Sequence, residues 1–394
     1  MLLLLALTVR LGLSLSRDQW PFSTDEHHWE RLGALYAVNG LLSDDPGTHR
    51  PPAYPLLIAT VYHFLGDEPL HVRLVQSFLA LIVVFQVYRI ARRVSDEENA
   101  LLAAALASFY PLWCFVNAML MAETLLVALV VSSVLFSLRW LEQGTFGRGA
   151  TLGITLGLGF LCKPIVIAWA GCLIMGLWFK TVGAPLSERL NSIGVIFCGV
   201  LLAVVPWTIR NEVVTGHRLL VSSNFGMNLM IGHEAGARGY YQNGRDYLTI
   251  YDRIGPATDD AVEKDKLVAR EIGNIIAENP ARSAWLGVKK VYWFWNSLLG
   301  DGPRWARTLH LLLGTVVVVA GGVGLYRMRQ EELAWIVGLA SIVWTLIHAV
   351  FFSHAKFRLP VDMLLLPFAA ISLQAGFCSV RQAVTRRLRE LDTA

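Results

Sequence analysis

The sequence has few charged residues for its length. Only 16% of its 394 residues are Asp, Glu, Lys or Arg, whereas 55% are hydrophobic. Soluble proteins of ordinary composition contain about 25% charged residues. With a mean hydropathy of +0.49, the chain has too little polar surface to enclose its apolar residues in a soluble core. Several apolar windows of about 20 residues recur, long enough to cross a hydrocarbon layer. The composition therefore predicts a polytopic all-α membrane protein.

Residues that mark disulfide frameworks, zinc sites and nucleotide sites are also scarce. The five cysteines lie in or beside apolar windows, which indicates small buried side chains rather than disulfides. The ten histidines show no zinc-ligand spacing, and no glycine-rich nucleotide motif appears. We predict no nucleic-acid partner. A divalent metal held by His49 together with Asp25 or Glu26 is a hypothesis that the sequence leaves open.

The apolar windows alternate with turns and polar segments. We predict about ten membrane spans, at residues 2–16, 74–90, 100–110, 116–138, 152–161, 165–179, a window ending at 206, 309–325, 333–352 and 359–374. The third span breaks at Pro111, and the fifth and sixth turn at Lys163-Pro164. With a cytoplasmic N-terminus, the basic clusters that flank the spans all lie inside. Both termini are therefore predicted to be cytoplasmic, in a plasma (inner) membrane protein.

This topology divides the chain into three parts. Residues 1–206 form a transmembrane module with a first extracytoplasmic loop at 17–71. Residues 207–304 form an extracytoplasmic region, and 305–394 form the last spans and a basic cytoplasmic tail. Within the second part, helical spacing of apolar residues predicts an amphipathic helix over 259–278. The aromatic run at 284–299 contains two lysines and predicts an interfacial helix.

The first candidate site is the acidic pair Asp25-Glu26, at the start of a predicted helix. Two interpretations remain open. Ser23 and Glu26 have the spacing of a capping box, and a carboxylate in the first turn suits the helix dipole, so the pair can be structural. Alternatively, the pair is catalytic and Asp25 is the base. A helix N-terminus lowers the pKa of Asp25, so a base there acts only if the acceptor proton leaves late.

The second candidate is Arg50, which directly precedes Pro51-Pro52. The prolines stiffen the backbone and hold Arg50 in an extended conformation. An arginine can bind a phosphate through two hydrogen bonds. The alternative is a proline break before a helix, with Arg50 extending to lipid headgroups.

A Gly- and Asn-rich segment, residues 222–232, follows the seventh span. Its backbone N–H groups are candidates for contacts with an anion or a sugar hydroxyl, but the spacing matches no phosphate loop. An ordinary turn is the favoured interpretation.

Charged residues in or beside the spans gather on the outer side of the predicted membrane. They are Arg10, Arg73, Glu123, Lys163, Arg210, His354, Lys356, Arg358 and Asp362. Charges within spans usually face a cavity or a partner. Structural pairing, for example of Glu123 with Arg10, accounts for some of them but not for their common side. We predict a polar, cationic cavity open to the outside, with His49 and Tyr54 also in its lining.

Several short motifs occur in an order that resembles the integral-membrane GT-C glycosyltransferases, in particular the protein O-mannosyltransferases and lipid A aminoarabinose transferases (glycosyltransferase family 39/83-like). The motifs are Arg10-Leu11, Asp25-Glu26, Tyr36-Ala37, Arg50-Pro-Pro-Ala-Tyr-Pro, Arg73-Leu-Val-Gln76, Met121-Ala-Glu123-Thr, the stretch from Gly157 to Pro164, Pro206-Trp-Thr-Ile-Arg210-Asn211 and Phe357-Arg358-Leu-Pro360. Each motif is short, but their shared order extends over nearly the whole chain.

The resemblance implies a polyprenyl-phosphate sugar donor and transfer on the extracytoplasmic face, with inversion at the sugar. It implies that Asp25 is the catalytic carboxylate and that Arg50 contacts the lipid phosphate. By their common side, Arg73, Lys163, Arg210 and Arg358 are further candidates for contact with the phosphate. Fixed cations stabilise the departing phosphate, and a carboxylate accepts the acceptor proton. The acceptor, a glycan, a lipid or a protein, stays open.

Two other functions compete with this one. A lipid or glycolipid transporter or flippase also needs an outward cavity for an anionic lipid, although the two matching halves common in transporters are not visible here. A glycan polymerase or ligase would use a pyrophosphate-linked donor on a similar scaffold.

Overall fold

The structure is a computed structural model that describes residues 1–17, 22–42, 48–242, 244–255, 258, 260–296 and 304–392, the last segment with side chains from 307 to 385. Seventeen α-helices contain most of these residues. The described part has no β-strand; two of its residues, Tyr240 and Ser353, form an isolated parallel bridge. The predicted all-α fold class is confirmed.

The helices are, in chain order, α1 (Leu2–Ser16), α2 (Thr24–Asn39), α3 (Ala53–Leu65), α4 (Pro69–Ala91), α5 (Glu97–Phe109), α6 (Pro111–Asn117), α7 (Glu123–Glu142), α8 (Phe146–Cys162), α9 (Val166–Lys180), α10 (Leu186–Thr215), α11 (Phe225–His233), α12 (Tyr247–Ile254), α13 (Ala261–Glu278), α14 (Pro280–Trp295), α15 (Arg304–Arg327), α16 (Glu332–Val350) and α17 (Leu359–Asp392). A short 3-10 helix, Ala355–Arg358, leads directly into α17.

Six of the described helices are long and apolar enough to cross a membrane, namely α4, α7, α10, α15, α16 and α17. The pair α5 and α6 adds a seventh span if the two, bent by 50°, are counted together. Four shorter helices, α1, α3, α8 and α9, are also apolar. The chain is thus an integral membrane protein, and the count of about ten spans stays a prediction.

The break at Pro111 explains where Arg10 lies. Proline has no backbone N–H, so the carbonyl of Ala107, four residues earlier, loses its helical partner. The Arg10 guanidinium, on α1, donates to the carbonyls of Ala107 (3.3 Å) and Ser108 (2.7 Å). Arg10 is fully buried there. The predicted break is confirmed, but the suggested pairing of Arg10 with Glu123 is wrong: the arginine caps the end of α5.

A second proline, Pro206, does not end its helix. The sequence predicts a span ending there, whereas α10 continues to Thr215. Side chains after the proline hold the extra turns in place. Trp207 and Asn211 donate to the carbonyl of Val221 (3.0 and 3.2 Å), and Arg210 donates to that of Leu41 (2.7 Å). Neighbouring groups that satisfy the backbone commonly make proline tolerable inside membrane helices.

Glycines allow α8 and α10 to approach each other closely. A Cβ atom on Gly153 would lie 2.1 Å from the carbonyl oxygen of Ile196, and one on Gly157 would lie 2.7 Å from the Ala203 side chain. Small residues of this kind permit close packing of membrane helices. This contact fixes the position of α8, which ends at the candidate site.

The segment between α10 and α15 has a small core of its own. Leu229, Met230, Val268 and Ile272 are buried there with Phe352. The predicted amphipathic helix at 259–278 is confirmed as α13, with residue 259 outside the described residues. The predicted helix at 284–299 is α14, which begins earlier, at Pro280, and ends at Trp295; residues 297–299 are outside the described part.

The Gly- and Asn-rich segment 222–232 is largely helical, because α11 begins at Phe225. The first backbone N–H groups of α11, from Gly226 and Met227, donate to the Asp265 carboxylate, each at 3.0 Å. The Asp265 carboxylate therefore occupies the N-terminus of α11, in the segment that the sequence suggested as an anion contact. A parallel contact then attaches this region to the residues just before the 3-10 helix: the Tyr241 backbone N–H donates to the Ser353 carbonyl (3.0 Å).

Candidate active site

The N-terminus of α2 positions the acidic pair. Ser23 Oγ accepts from the Glu26 backbone N–H (3.3 Å), and Glu26 Oε2 accepts from the Ser23 backbone N–H (3.0 Å). The predicted capping box is confirmed. It separates the two carboxylates, because Glu26 turns back to the cap while Asp25 extends away from it.

Glu26 is fully buried and acts as a structural connector. Its Oε2 atom forms an ion pair with Arg17, and its Oε1 atom accepts from the Leu120 backbone N–H (3.1 Å), between α6 and α7. Both oxygens are thus engaged by the protein. This placement favours a positioning role for Glu26 over the catalytic one that the sequence suggested.

Asp25 faces two cations. Its Oδ1 atom accepts from Arg50 (2.8 Å) and its Oδ2 atom from Lys356 (3.3 Å). The Asp25 side chain is 37% exposed, whereas those of Arg50 and Lys356 are 22% and 10% exposed. Partial burial raises the pKa of Asp25, but the charges of Arg50 and Lys356 outweigh burial and hold this pKa well below its usual range. The carboxylate is therefore ionised at neutral pH.

Aromatic rings and a histidine orient Arg50. Its guanidinium lies over the Trp29 ring, 4.7 Å from the centroid, and is 3.2 Å from His28 Nδ1. Burial, followed by the charge of Arg50, lowers the pKa of His28, so its neutral ring accepts this hydrogen bond. The His49 ring meets the His28 ring edge-on, at 6.2 Å. His49 thus lies beside the Asp25 cluster.

Lys356 and Arg358 point to different partners although only one residue separates them. Arg358 is fully buried, where Nε donates to Asp362 (2.7 Å) and Nη1 to the Phe294 carbonyl (3.0 Å). Tyr110 donates to the second oxygen of Asp362 (2.8 Å). Arg358, predicted to contact the donor phosphate, therefore forms its ion pair with Asp362. Lys356, which the sequence analysis grouped with the charged residues beside the spans but not with the site residues, binds Asp25 instead.

A second ion pair lies at the ends of α7 and α8. Glu123 accepts from Lys163 at 2.6 Å and is only 3% exposed. The Lys163 ammonium also lies 4.4 Å from the centroid of Phe357, the residue between Lys356 and Arg358. Lys356 is near enough to interact electrostatically with Glu123 as well as with Asp25. Two carboxylates and three cations, counting Arg50, therefore form one cluster.

We expect Glu123 and Lys163 to be strongly coupled. Replacing Lys163 with methionine leaves a buried carboxylate without its cation, which costs about 3–5 kcal/mol. The double variant with Glu123→Gln should recover most of that loss. Thermal unfolding of the detergent-solubilised single and double variants measures the coupling; additive losses would contradict the pairing.

The other residues that were predicted to bind the phosphate or to line the cavity contact separate parts of the fold. Tyr54 donates to Gln76, whose amide nitrogen donates to the carbonyls of Asn117 (2.9 Å) and Met119 (2.8 Å). Arg73 is fully buried, 5.5 Å from the Phe22 ring centroid. Arg210 holds the end of α2 through Leu41, as described above. These side chains support the elements that carry the site.

Tyr241, which sequence reasoning missed, lies close enough to the Asp25 cluster to interact with it electrostatically. Burial, and next the charge of Asp25, raise its pKa, so the hydroxyl is neutral and can donate or accept a hydrogen bond. Its ring is 6.4 Å from that of His354. The loop containing Tyr241 has no motif, and contacts with Ser353, Phe352 and His354 bring it here.

The described residues do not suit a resident divalent metal. Among them, no group of three or more His, Cys, Asp or Glu side chains is arranged to hold a metal ion. Moreover, the Asp25 and Glu26 oxygens that the metal hypothesis requires already accept from Arg50, Lys356 and Arg17. We therefore assign no step to a metal.

A known family matches part of the sequence. The sequence profile of the family described as dolichyl-phosphate-mannose-protein mannosyltransferase matches residues 49–209. No curated protein matches the chain significantly. The matched region begins at the Arg50 motif and ends within α10, and so contains Lys163 and Glu123.

Two solved structures of an archaeal protein share the fold, and a third structure is less similar. The oligosaccharyltransferase of Archaeoglobus fulgidus, in its apo form, has a TM-score of 0.58 and 16% identity, covering 98% of this chain and 52% of that one. Its complex with an inhibitory peptide and a dolichol-phosphate, there named AglB, gives 0.57 and 16%, over 99% and 51%. ArnT from Cupriavidus metallidurans bound to undecaprenyl phosphate gives 0.44 and 15%, over 94% and 78%.

The chain thus shares the fold of the archaeal oligosaccharyltransferases, and its residues 49–209 match the mannosyltransferase profile. It spans about half the length of the archaeal oligosaccharyltransferases that it matches.

Proposed function

We propose that the protein transfers a sugar from a polyprenyl-phosphate-linked donor to an acceptor hydroxyl, with inversion at the sugar. The observation that carries the proposal is the ionised Asp25 carboxylate held between Arg50 and Lys356, at one end of a GT-C helical bundle. The archaeal structure with the same fold and a bound dolichol-phosphate supports a lipid phosphate donor. The mannosyltransferase description of the matching profile supports sugar transfer.

The proposed reaction exchanges one bond at the sugar for another. The acceptor oxygen attacks C1 from the face opposite the phosphate, the C1–O bond to the phosphate breaks, and polyprenyl phosphate leaves as an anion. Arg50 and Lys356 stabilise the negative charge that develops on this phosphate. Asp25 accepts the hydroxyl proton, late in the bond exchange, and later releases it to water.

Arg50 and Lys356 also explain how Asp25, a weakly basic carboxylate, can act as a general base. In the structure without donor, Arg50 and Lys356 both bind Asp25. When the donor phosphate enters, the same two side chains bind it, because it is the new anion within their reach. Asp25 then loses part of its stabilisation, and its basicity rises. Donor binding would thereby make Asp25 a stronger base for the acceptor proton.

The distribution of arginines supports an extracytoplasmic site. On the side of the Asp25 cluster, each of the basic residues Arg17, Arg50, Lys163, Lys356 and Arg358 is paired with a carboxylate. Basic residues at the other ends are Arg89, Arg92, Arg93, Arg139, Arg148, Arg327, Arg329 and Arg381. Because arginines in short loops favour the cytoplasm, the cluster faces outward and both termini face inward.

Replacing Arg50 with glutamine should mainly weaken donor binding. A hydrogen bond to a charged group is worth about 1.5–3 kcal/mol, so we expect the KM for the lipid donor to rise about 10- to 100-fold, with a smaller change in acceptor KM. Arg270→Gln, on the exposed face of α13, is the matched control. Equal losses for donor and acceptor would contradict contact of Arg50 with the phosphate.

The low pKa of Asp25 predicts an unusual pH profile. A carboxyl with a depressed pKa stays ionised as pH falls through the usual carboxylate range near 4. The wild-type kcat/KM should therefore show no acid limb from a carboxyl base between about pH 5 and 8. Steady-state rates across this range provide the test. A limb near pH 6 that disappears in Asp25→Asn would show that the carboxyl has an elevated pKa instead.

Reconstituted protein distinguishes transfer from transport. Proteoliposomes receive a polyprenyl-phosphate donor labelled in the sugar, with a panel of glycan, lipid and peptide acceptors. We expect labelled acceptor and unlabelled polyprenyl phosphate to appear together, in equal amounts. Movement of the intact labelled lipid across the bilayer, without release of the sugar, would support a flippase and contradict the proposal.

A further inference from the structure

A basic cavity lies at the membrane face opposite the Asp25 cluster. Its volume is about 470 Å³, and its lining includes Arg89, Arg93, Arg139, Arg148, Glu142 and Phe136. The cavity is formed by the ends of α4 and α7 and the beginning of α8. None of these side chains takes part in the proposed reaction.

The cavity is distinct from the active site. Arg139, which lines the cavity, follows Glu123 of the Asp25 cluster by sixteen positions along α7. At 1.5 Å per residue this distance is about 24 Å along the helix. The cavity and the active site therefore lie near opposite surfaces of the membrane.

The charges in the cavity are unbalanced. Glu142 pairs with Arg93 (2.7 Å) and lies 3.5 Å from Arg148. The guanidinium groups of Arg89 and Arg139 lie instead beside Phe85 and Phe136, at 6.0 and 5.7 Å from the ring centroids. Within the described chain, no carboxylate is within ion-pair distance of either group. Four guanidinium groups thus share one carboxylate, which leaves capacity for an anion.

The surroundings favour an anion attached to a lipid. Ile82 and Phe85, on α4, are each 49% exposed, and Phe146 at the start of α8 is 75% exposed. Exposed apolar side chains next to a basic cavity match the two parts of a phospholipid, its acyl chains and its phosphate. Arginine binds such a phosphate through parallel hydrogen bonds.

We propose that this cavity binds the phosphate of an anionic phospholipid headgroup, with the acyl chains along the outer surface of α4. The lipid would neutralise the excess charge of the four arginines and connect the ends of α4, α7 and α8. Because α7 and α8 carry Glu123 and Lys163 at their other ends, the bound lipid would also stabilise the helices below the active site.

Lipid binding to the purified protein tests this directly. The protein in neutral detergent is titrated with phosphatidylglycerol, with phosphatidylcholine and with inorganic phosphate, and bound lipid is counted by native mass spectrometry. We expect phosphatidylglycerol to bind best. In the double variant Arg89→Gln/Arg139→Gln its affinity should fall about fivefold for each cation removed, or roughly 25-fold in total.

Two further variants test whether the effect on lipid affinity is specific to the cavity. Arg327→Gln/Arg329→Gln removes two arginines at the same membrane face, outside the cavity, and should leave the affinity unchanged. Glu142→Gln removes the one carboxylate of the lining and should tighten binding several-fold, even if the first double variant folds poorly. The proposal is overturned by equal binding of the two phospholipids, by an equal loss in the control, or by inorganic phosphate displacing the lipid at similar concentration.

Discussion

Asp25→Asn should reduce sugar transfer by about 10²- to 10⁴-fold, the range for loss of a general base. The substitution keeps the shape of the side chain but removes its charge and most of its basicity. Because Arg50 and Lys356 bind Asp25 in the absence of donor, its neutralisation frees both cations for the phosphate. Donor affinity should therefore be unchanged or higher while kcat falls. Product formation and equilibrium donor binding, measured on the same preparation, test both parts.

The control for this prediction is Glu30→Gln, on the same helix. Glu30 accepts from Tyr62 at 3.3 Å, a hydrogen bond that the amide oxygen of a glutamine can also accept. We expect this variant to retain transfer within about threefold of wild type, since isolated surface changes usually have small effects. Transfer that survives in Asp25→Asn, or donor binding that is lost with it, would contradict the assigned base.

Glu26→Ala should instead destabilise the protein. Glu26 is fully buried and connects Arg17, the cap of α2 and the Leu120 backbone. Removing one partner of a buried ion pair costs about 3–5 kcal/mol, because the other charge loses its compensation. We expect a large fall in the apparent melting temperature in detergent, and reduced yield.

The Asp25 and Glu26 variants therefore serve as controls for each other, one for the loss of activity and one for the loss of stability. Asp25→Asn should leave the melting temperature close to that of wild type, because the Asp25 side chain is partly exposed and Lys356 remains near Glu123. If Glu26→Ala unfolds at the wild-type temperature and loses only activity, Glu26 is catalytic and the positioning role is incorrect.

Features that depend on neighbouring residues in the sequence were the most predictable. The capping box of α2 requires only Ser23 and Glu26 at the correct spacing. Likewise, the amphipathic helix α13 follows from the period of its apolar residues. The break at Pro111 is also local, since a missing N–H disrupts a helix wherever no neighbour compensates. Pro206 was not predictable in this way, because distant carbonyls of Leu41 and Val221 hold the helix that follows it.

The partners of the charged residues could not be predicted from the sequence. The sequence placed nine charged or ionisable side chains on one side of the membrane, but several partner assignments depend on contacts between distant helices. Lys356 and Arg358 show the difficulty. In a 3-10 helix of three residues per turn, positions two apart point about 120° away from each other, so one reaches Asp25 and the other Asp362.

The proximity of Asp25 and Arg50 was the part of the site that the sequence did predict. Both residues belong to the first loop, and α2 and α3 pack against each other through Trp29 and Tyr54, whose rings meet at 5.5 Å. Lys163 and Lys356 come from elsewhere in the chain. Tyr241 lies in a segment without any recognisable motif, and contacts with residues distant in the sequence, Ser353, Phe352 and His354, bring it to the cluster.

The position of a bound lipid phosphate tests the central claim most directly. The measurement is an experimental structure of the protein in nanodiscs with a polyprenyl phosphate. The proposal predicts a phosphate about 3 Å from both Arg50 and Lys356, with the Asp25 carboxylate released from at least one of them. A phosphate bound away from these two cations, with both still on Asp25, would contradict it.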